Sequence, residues 1–157
     1  MPRFLARWAA GLACLIALGS PAAPANGPAK QTVMIEMRDG ARLATDLYMP
    51  PDYSKDKHPD GVPVALVCTP YDKNNVSPFA RWRDCFVGNG YAFAVQDMRG
   101  FYASANKDKA QARHNDGYDT VEWFAAQQWC NGKVGMLGYS HPGAAQYETA
   151  VTQPPHL

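Results

Sequence analysis

The sequence predicts an α/β fold, and three observations carry that prediction. Three short, continuous apolar runs, Val64–Cys68, Tyr91–Val95 and Val134–Leu137, read as strands covered on both faces, as in a parallel sheet. Segments with helical spacing and helix-end signals separate and follow these runs, giving the order β-α-β-α-β-α, which implies parallel strands joined by right-handed crossovers. Upstream, two further strand patterns flank a tight-turn dipeptide, Asp39-Gly40, and form an N-terminal β-hairpin.

The elements follow in order. Val33–Met37 and Ala41–Tyr48 make the hairpin, and Leu43, Thr45 and Leu47 alternate as a half-buried strand does. Pro50 to Pro63 is a polar, proline-rich loop, and from Val62 the pattern changes, leading into the apolar run Val64–Cys68. Ser77 caps a helix with Pro78 at its first position; Phe79, Trp82 and Phe86 fall at i, i+3 and i+7, and Gly88 and Gly90 stop it. After the second buried strand, Asp116–Gln128 forms a helix with Val121, Phe124 and Ala125 on one face, ended by Asn131-Gly132. Val134–Leu137 leads directly into a helix from Pro142 to about Val151.

Residues 1–25 read as an export signal. Arg3 and Arg7 form a positive start, Trp8–Leu18 is an uncharged apolar run of eleven residues, and Ala23-Pro24-Ala25 or Ser20-Pro21-Ala22 offers a cleavage site. The run is too short to span a bilayer core of about 30 Å. Residues 26–32 are a linker, and residues 33–157 form the folded domain. Export implies a periplasmic or secreted protein with no stable membrane span once the signal is removed.

Composition narrows the function. The 157 residues are 46% hydrophobic, and 15 Lys+Arg against 14 Asp+Glu leave a net charge of +1. No basic face is visible, so a nucleic-acid partner is not expected. The mean hydropathy of −0.35 argues against a membrane-embedded body. Cys68, Cys85 and Cys130 follow no zinc spacing and read as small buried hydrophobes, although a Cys68–Cys85 bridge stays open. No metal and no cofactor is predicted.

The chemistry-bearing motif is Gly138-Tyr139-Ser140-His141-Pro142-Gly143. A serine between an apolar strand and a helix fits a nucleophile elbow, where a sharp, strained turn lifts the hydroxyl above the sheet and small neighbours let the backbones approach. Gly138 at −2 fits that pattern. Pro142 stands at +2, where the pattern has glycine, and the next glycine is Gly143 at +3.

With these residues in hand, the chain resembles the X-prolyl dipeptidyl-peptidase and cocaine-esterase group of α/β-hydrolases, which includes the α-amino-acid ester hydrolases. The resemblance runs from Met34 to Leu157. It is carried by Met37–Gly40 with Leu43–Tyr48, Thr69–Lys73, Gln96–Gly100, Asp116–Trp123, Trp129–Met136, the serine motif, and Gln153–Leu157. It implies that Ser140 is the nucleophile that forms an acyl-enzyme. The His141 backbone N–H would be one oxyanion donor and the Tyr71 phenol the other, each worth about 3 kcal/mol. The substrate would be a small-molecule ester or peptide. The family carries Tyr after the nucleophile, whereas His141 and Pro142 follow Ser140 here, which alters the pocket wall.

A serine needs a base, and the base an orienting carboxylate. After Ser140 the only acid is Glu148 and the only histidines are His141 and His156; His114 lies upstream and His58 has no feature linking it to the site. The resemblance implies that the triad Asp and His and the later strands lie beyond Leu157. The chain is then the N-terminal portion of an α/β-hydrolase fold, truncated before the later strands, near-inactive alone, and left with Val134–Leu137 as an exposed, aggregation-prone edge. The open alternative is a non-catalytic exported remnant acting as a binding module.

Overall fold

The computed structural model describes residues 29–75, 78–104 and 115–157. The predicted export signal, residues 26–28 of the linker, the Ser77 cap and His114 lie outside these residues. Strands β1 (Lys30–Glu36) and β2 (Arg42–Tyr48) pair antiparallel, with Glu36 opposite Arg42. Their turn uses Gly40 in the left-handed region at φ 79°, with Gly40 N–H donating to Met37 O at 2.8 Å and Met37 N–H to Ala41 O at 2.7 Å. That is a three-residue hairpin closed by a left-handed glycine.

Strands β3 (Val62–Thr69), β4 (Ala92–Asp97) and β5 (Cys130–Met136) are the three predicted apolar runs. The sheet order is β1-β2-β4-β3-β5; β3 runs parallel to both β4 and β5, and β2 joins β4 antiparallel. Helices cover both faces, which is why the inner strands are apolar throughout. On one face Val121 and Phe124 of α2 (Asp116–Ala125) and Ala145 of α3 (His141–Ala150) pack on Ile35, Leu43, Leu66 and Ala94. On the other, Val87 of α1 (Ala80–Gly88), with Phe79, packs on Tyr48, Val67, Phe93 and Val95.

The end of α1 matches the sequence expectation, whereas its start, at Ala80 rather than Pro78, and the boundary between α2 and β5 do not. Helix α1 ends at Gly88, and Gly90, at φ 82°, closes it: Tyr91 N–H reaches Phe86 O at 3.0 Å, Gly90 N–H reaches Val87 O at 3.3 Å, and the Phe86 and Tyr91 rings meet at 5.3 Å. Helix α2, in contrast, ends three residues before Gln128, and β5 begins at Cys130. Asn131-Gly132 is therefore not a helix stop. Val62 pairs with Cys130 and Val64 with Val134, so the chain between them forms an irregularity inside the strand, with Gly132 at φ 77°.

Strand β5 lies at the sheet edge, as expected. One of its outward amides is taken: Val134 N–H donates to His156 O at 2.9 Å, and His156 Nδ1 stands 2.8 Å from Glu122 Oε2 on α2. No helix among the described residues is long and apolar enough to cross a membrane.

Candidate active site

The candidate nucleophile sits where β5 turns into α3. Leu137 N–H donates to Leu66 O at 3.0 Å, extending the β3 ladder one residue past β5. Three residues later, Ser140 takes φ 56° and ψ −129° as the residue preceding α3, and its carbonyl accepts Ala144 N–H at 3.0 Å. A non-glycine residue in that region costs about 1–3 kcal/mol, and such conformations cluster at functional turns. Ser140 is exposed.

The structure also explains Pro142 at +2. Gly138 has φ 152°, and a Cβ added there would lie 2.4 Å from Pro142 Cβ. The space left by the glycine at −2 is filled by the proline ring, and proline is compatible with a first helical turn. A Cβ on Gly143 would sit 3.4 Å from Gly138 O, close to ordinary contact, so the steric demand falls on Gly138. Gln146 Nε2 fastens the turn by donating to Gly138 O at 3.0 Å and Pro142 O at 3.3 Å.

Tyr71 lies in the loop after β3. Ser140, Tyr71, Asn75, Phe79 and Tyr139 line one open cleft of about 450 Å³. The Tyr71 ring is half exposed and meets the His141 ring edge-on, with centroids 6.5 Å apart. His141 opens α3, so its backbone N–H belongs to the first turn, where no carbonyl four residues back is available to it. Ser140 and Tyr71 thus share one cleft, and His141, next in the chain to Ser140, meets Tyr71 beside it.

The Tyr71 loop is fastened from beneath. Tyr71 N–H donates to Thr69 Oγ1 at 3.0 Å, and Asp72, at φ 74°, accepts Asn74 N–H on Oδ1 at 2.9 Å. Lys73 is only 4% exposed: its N–H donates to Asp97 Oδ1 at 2.6 Å, and its Nζ lies 3.1 Å from Asp46 Oδ1. Burial works to raise the Asp46 pKa, but hydrogen bonds from Thr32, Lys73 and Lys30 outweigh it and hold the carboxyl below its ordinary value. Burial dominates at Asp97 and pushes its pKa up against the Lys73 and Ala103 amides that donate to it.

The sequence reading missed Lys73, Asp46 and Asp97. A half-buried strand with Leu43, Thr45 and Leu47 on its inner face would leave Asp46 to solvent, whereas β2 from Leu43 to Tyr48 is buried on both faces.

Among the described residues, no side chain hydrogen-bonds to the Ser140 hydroxyl. His156 is committed to Glu122, and His58 stacks on Tyr53 with centroids 5.8 Å apart, its Nε2 buried without a partner. Glu148 is exposed on α3. Nor do three His, Cys, Asp or Glu side chains gather there as metal ligands.

A mixed sheet whose strands β3, β4 and β5 run parallel, a strained serine between strand and helix, and a phenol facing the same cleft define a chain of the α/β-hydrolase class. The family model for X-Pro dipeptidyl-peptidase (S15 family) matches residues 39–157, and the chain belongs to that family. It is 41% identical over 133 residues to the cocaine esterase of Rhodococcus sp. (strain MB1 Bresler), covering 81% of this chain and 22% of that protein. Among solved structures, a CocE/NonD family hydrolase from Staphylococcus aureus superposes with a TM-score of 0.66 at 25% identity, covering 81% of this chain and 25% of that one. An α-amino-acid ester hydrolase superposes with a TM-score of 0.65 at 29% identity, covering 92% and 27%. The chain thus spans about a quarter of the length of these relatives.

Proposed function

We propose that Ser140 is the acyl-accepting nucleophile of an exported serine hydrolase that cleaves small-molecule esters or peptide bonds. Its hydroxyl oxygen attacks the carbonyl carbon and the leaving group departs as alcohol or amine. Water then releases the acyl group as a carboxylic acid. The His141 backbone N–H and the Tyr71 phenol donate to the carbonyl oxygen as it becomes negative. The observation that carries this reading is the strained φ of 56° at Ser140, at the head of α3 and in one cleft with Tyr71. Similarity to an esterase and to an amino-acid ester hydrolase supports it. Export is supported by the charged start and apolar run of residues 1–18.

No side chain among the described residues hydrogen-bonds to the Ser140 hydroxyl, and we expect the 157-residue chain by itself to turn over p-nitrophenyl esters barely faster than buffer. The test is covalent labelling with a fluorophosphonate of the protein as produced from its own gene. Label is expected on the Ser140 peptide and absent from Ser140→Ala. Folded protein that labels no faster than free serine would overturn the reading in favour of a non-catalytic binding module.

A further inference from the structure

We infer that Lys73 is a positioning residue for Tyr71, acting through a buried anchor that fixes the loop carrying the phenol; this rests on the reading of Tyr71 as an oxyanion donor. Tyr71 is 51% exposed, so its side-chain contacts alone do little to hold it. Its place depends on the backbone of Tyr71-Asp72-Lys73. That backbone is tied at its start by Thr69 Oγ1, passes through a left-handed Asp72 at φ 74°, and is tied at its end by Lys73.

Lys73 is held at both ends by buried carboxylates from two different strands. Its N–H donates to Asp97 Oδ1 at 2.6 Å, at the end of β4, and its ammonium lies 3.1 Å from Asp46 Oδ1, in the middle of β2. Asp97 is itself tied down by Ala103 N–H at 3.2 Å, and Ser104 Oγ donates to the Asp97 carbonyl at 2.7 Å. A lysine ordinarily keeps its ammonium in water, and burying it is unfavourable unless it is paired and bonded. Neutralising Asp46 does not by itself require Lys73, because Lys30 Nζ lies 3.1 Å from Asp46 Oδ2 and Thr32 Oγ1 donates to Oδ1 at 2.6 Å. What neither Lys30 nor Thr32 can do is restrain the loop two residues after Tyr71. A small rotation at Asp72 is magnified at the far end of a tyrosine side chain, and a displacement of about 1 Å in a catalytic group can cost about 100-fold in rate.

The test uses the protein as produced from its own gene and p-nitrophenyl acetate. Tyr71→Phe is expected to lower kcat about 100- to 1,000-fold. Lys73→Met is expected to lower it about 10- to 100-fold with KM changed less than about 3-fold. Adding Tyr71→Phe to Lys73→Met is expected to lower kcat much less than it does alone, because the phenol is already out of place. Should Lys73→Met fold poorly, Lys73→Met/Asp46→Asn removes both charges; its stability is expected to recover while its kcat stays low. Hydrogen exchange reads the anchor without turnover: amides 71–75 exchange at least about tenfold faster in the variant while the β3 and β4 amides keep their protection. Fully multiplicative losses, an unchanged kcat in the folded double variant, or unchanged exchange at 71–75 would each overturn the role of Lys73. If Tyr71→Phe alone left kcat unchanged, the oxyanion reading would fall and the Lys73 role with it. An active-site effect of Tyr71→Phe with none from Lys73 would remove only the latter.

Discussion

Replacing Gly138 with alanine tests the steric logic of the elbow directly. The new methyl group would lie 2.4 Å from Pro142 Cβ, 2.9 Å from Pro142 C and 3.1 Å from Pro142 O. Forcing a methyl group into so tight a site costs about 1–3 kcal/mol. Holding alanine at φ 152° adds about 1–3 kcal/mol. Alanine also restricts the unfolded chain, which returns about 0.4–1 kcal/mol. The net expectation is a destabilisation of about 1.5–5 kcal/mol, read by urea unfolding with the fluorescence of Trp82, Trp123 and Trp129 as signal. The partner substitution sharpens the reasoning. Pro142→Gly removes the 2.4 Å contact but leaves both backbone contacts and the backbone strain. The double variant Gly138→Ala/Pro142→Gly should therefore be more stable than the sum of the two single effects by about 1–2 kcal/mol, within the usual range for residues in contact. A Gly138→Ala protein within about 0.5 kcal/mol of the parent would refute the claim that the glycine at −2 makes room for the proline at +2.

Two other outcomes are expected. A Cβ on Gly117 would lie 1.8 Å from Thr149 Oγ1, so Gly117→Ala should destabilise in urea although alanine is favoured over glycine in a helix by about 1 kcal/mol; Thr149→Ala in the same chain should recover part of the loss. Burial, helped by the charge of Asp116, pushes the Cys68 thiol from 9.0 to about 12. The folded state then holds this proton between those values while the unfolded state releases it, so stability is intact below pH 9 and falls as the pH rises towards 12, by up to about 4 kcal/mol. Urea midpoints at pH 8.5 and 11 should differ less in Cys68→Ala than in the parent, and equal differences would contradict the assignment.

The sheet was legible because its inner strands are apolar on both sides, and Val64–Cys68 and Tyr91–Val95 have no other stable reading in a chain of this composition. The hairpin and the end of α1 were legible because Gly40 and Gly90 perform local tasks that any chain would give to glycine. The irregular start of β5 was not legible. Asn131-Gly132 looks like a helix stop locally, and only its pairing opposite β3 makes it part of a strand. Ser140 and Tyr71 could be named from motif blocks, but the buried support of Tyr71 could not. Asp46, Lys73 and Asp97 are charged residues held in place by contacts from β1, β2, β4, the loop after β3 and the 102–104 turn together, a many-body outcome that local periodicity does not encode.

The same reasoning explains why the recognisable blocks lie so far from the serine in sequence. Arg99, 3% exposed, bridges Asp39 at the hairpin tip, with Nη1 at 2.7 Å from Oδ2, and Asp116 at the head of α2, with Nε at 2.9 Å from Oδ2. The hydrogen bonds to Asp116 and then to Asp39 keep its guanidinium charged despite burial. Alongside it, Arg38 Nε lies 2.8 Å from Asp119 Oδ1, and its guanidinium sits over the Tyr118 ring at 5.0 Å. The next residue of α2 after Asp116 is Gly117, whose missing side chain is the seat of Thr149 on α3. Helix α3 begins at Ser140. The Arg38-Asp39-Gly40 turn, the Asp97–Gly100 segment and the Asp116–Asp119 turn are therefore consecutive links between the hairpin and the nucleophile helix. A change at any one of them, although remote from the cleft in sequence, shifts the platform on which Ser140 is held.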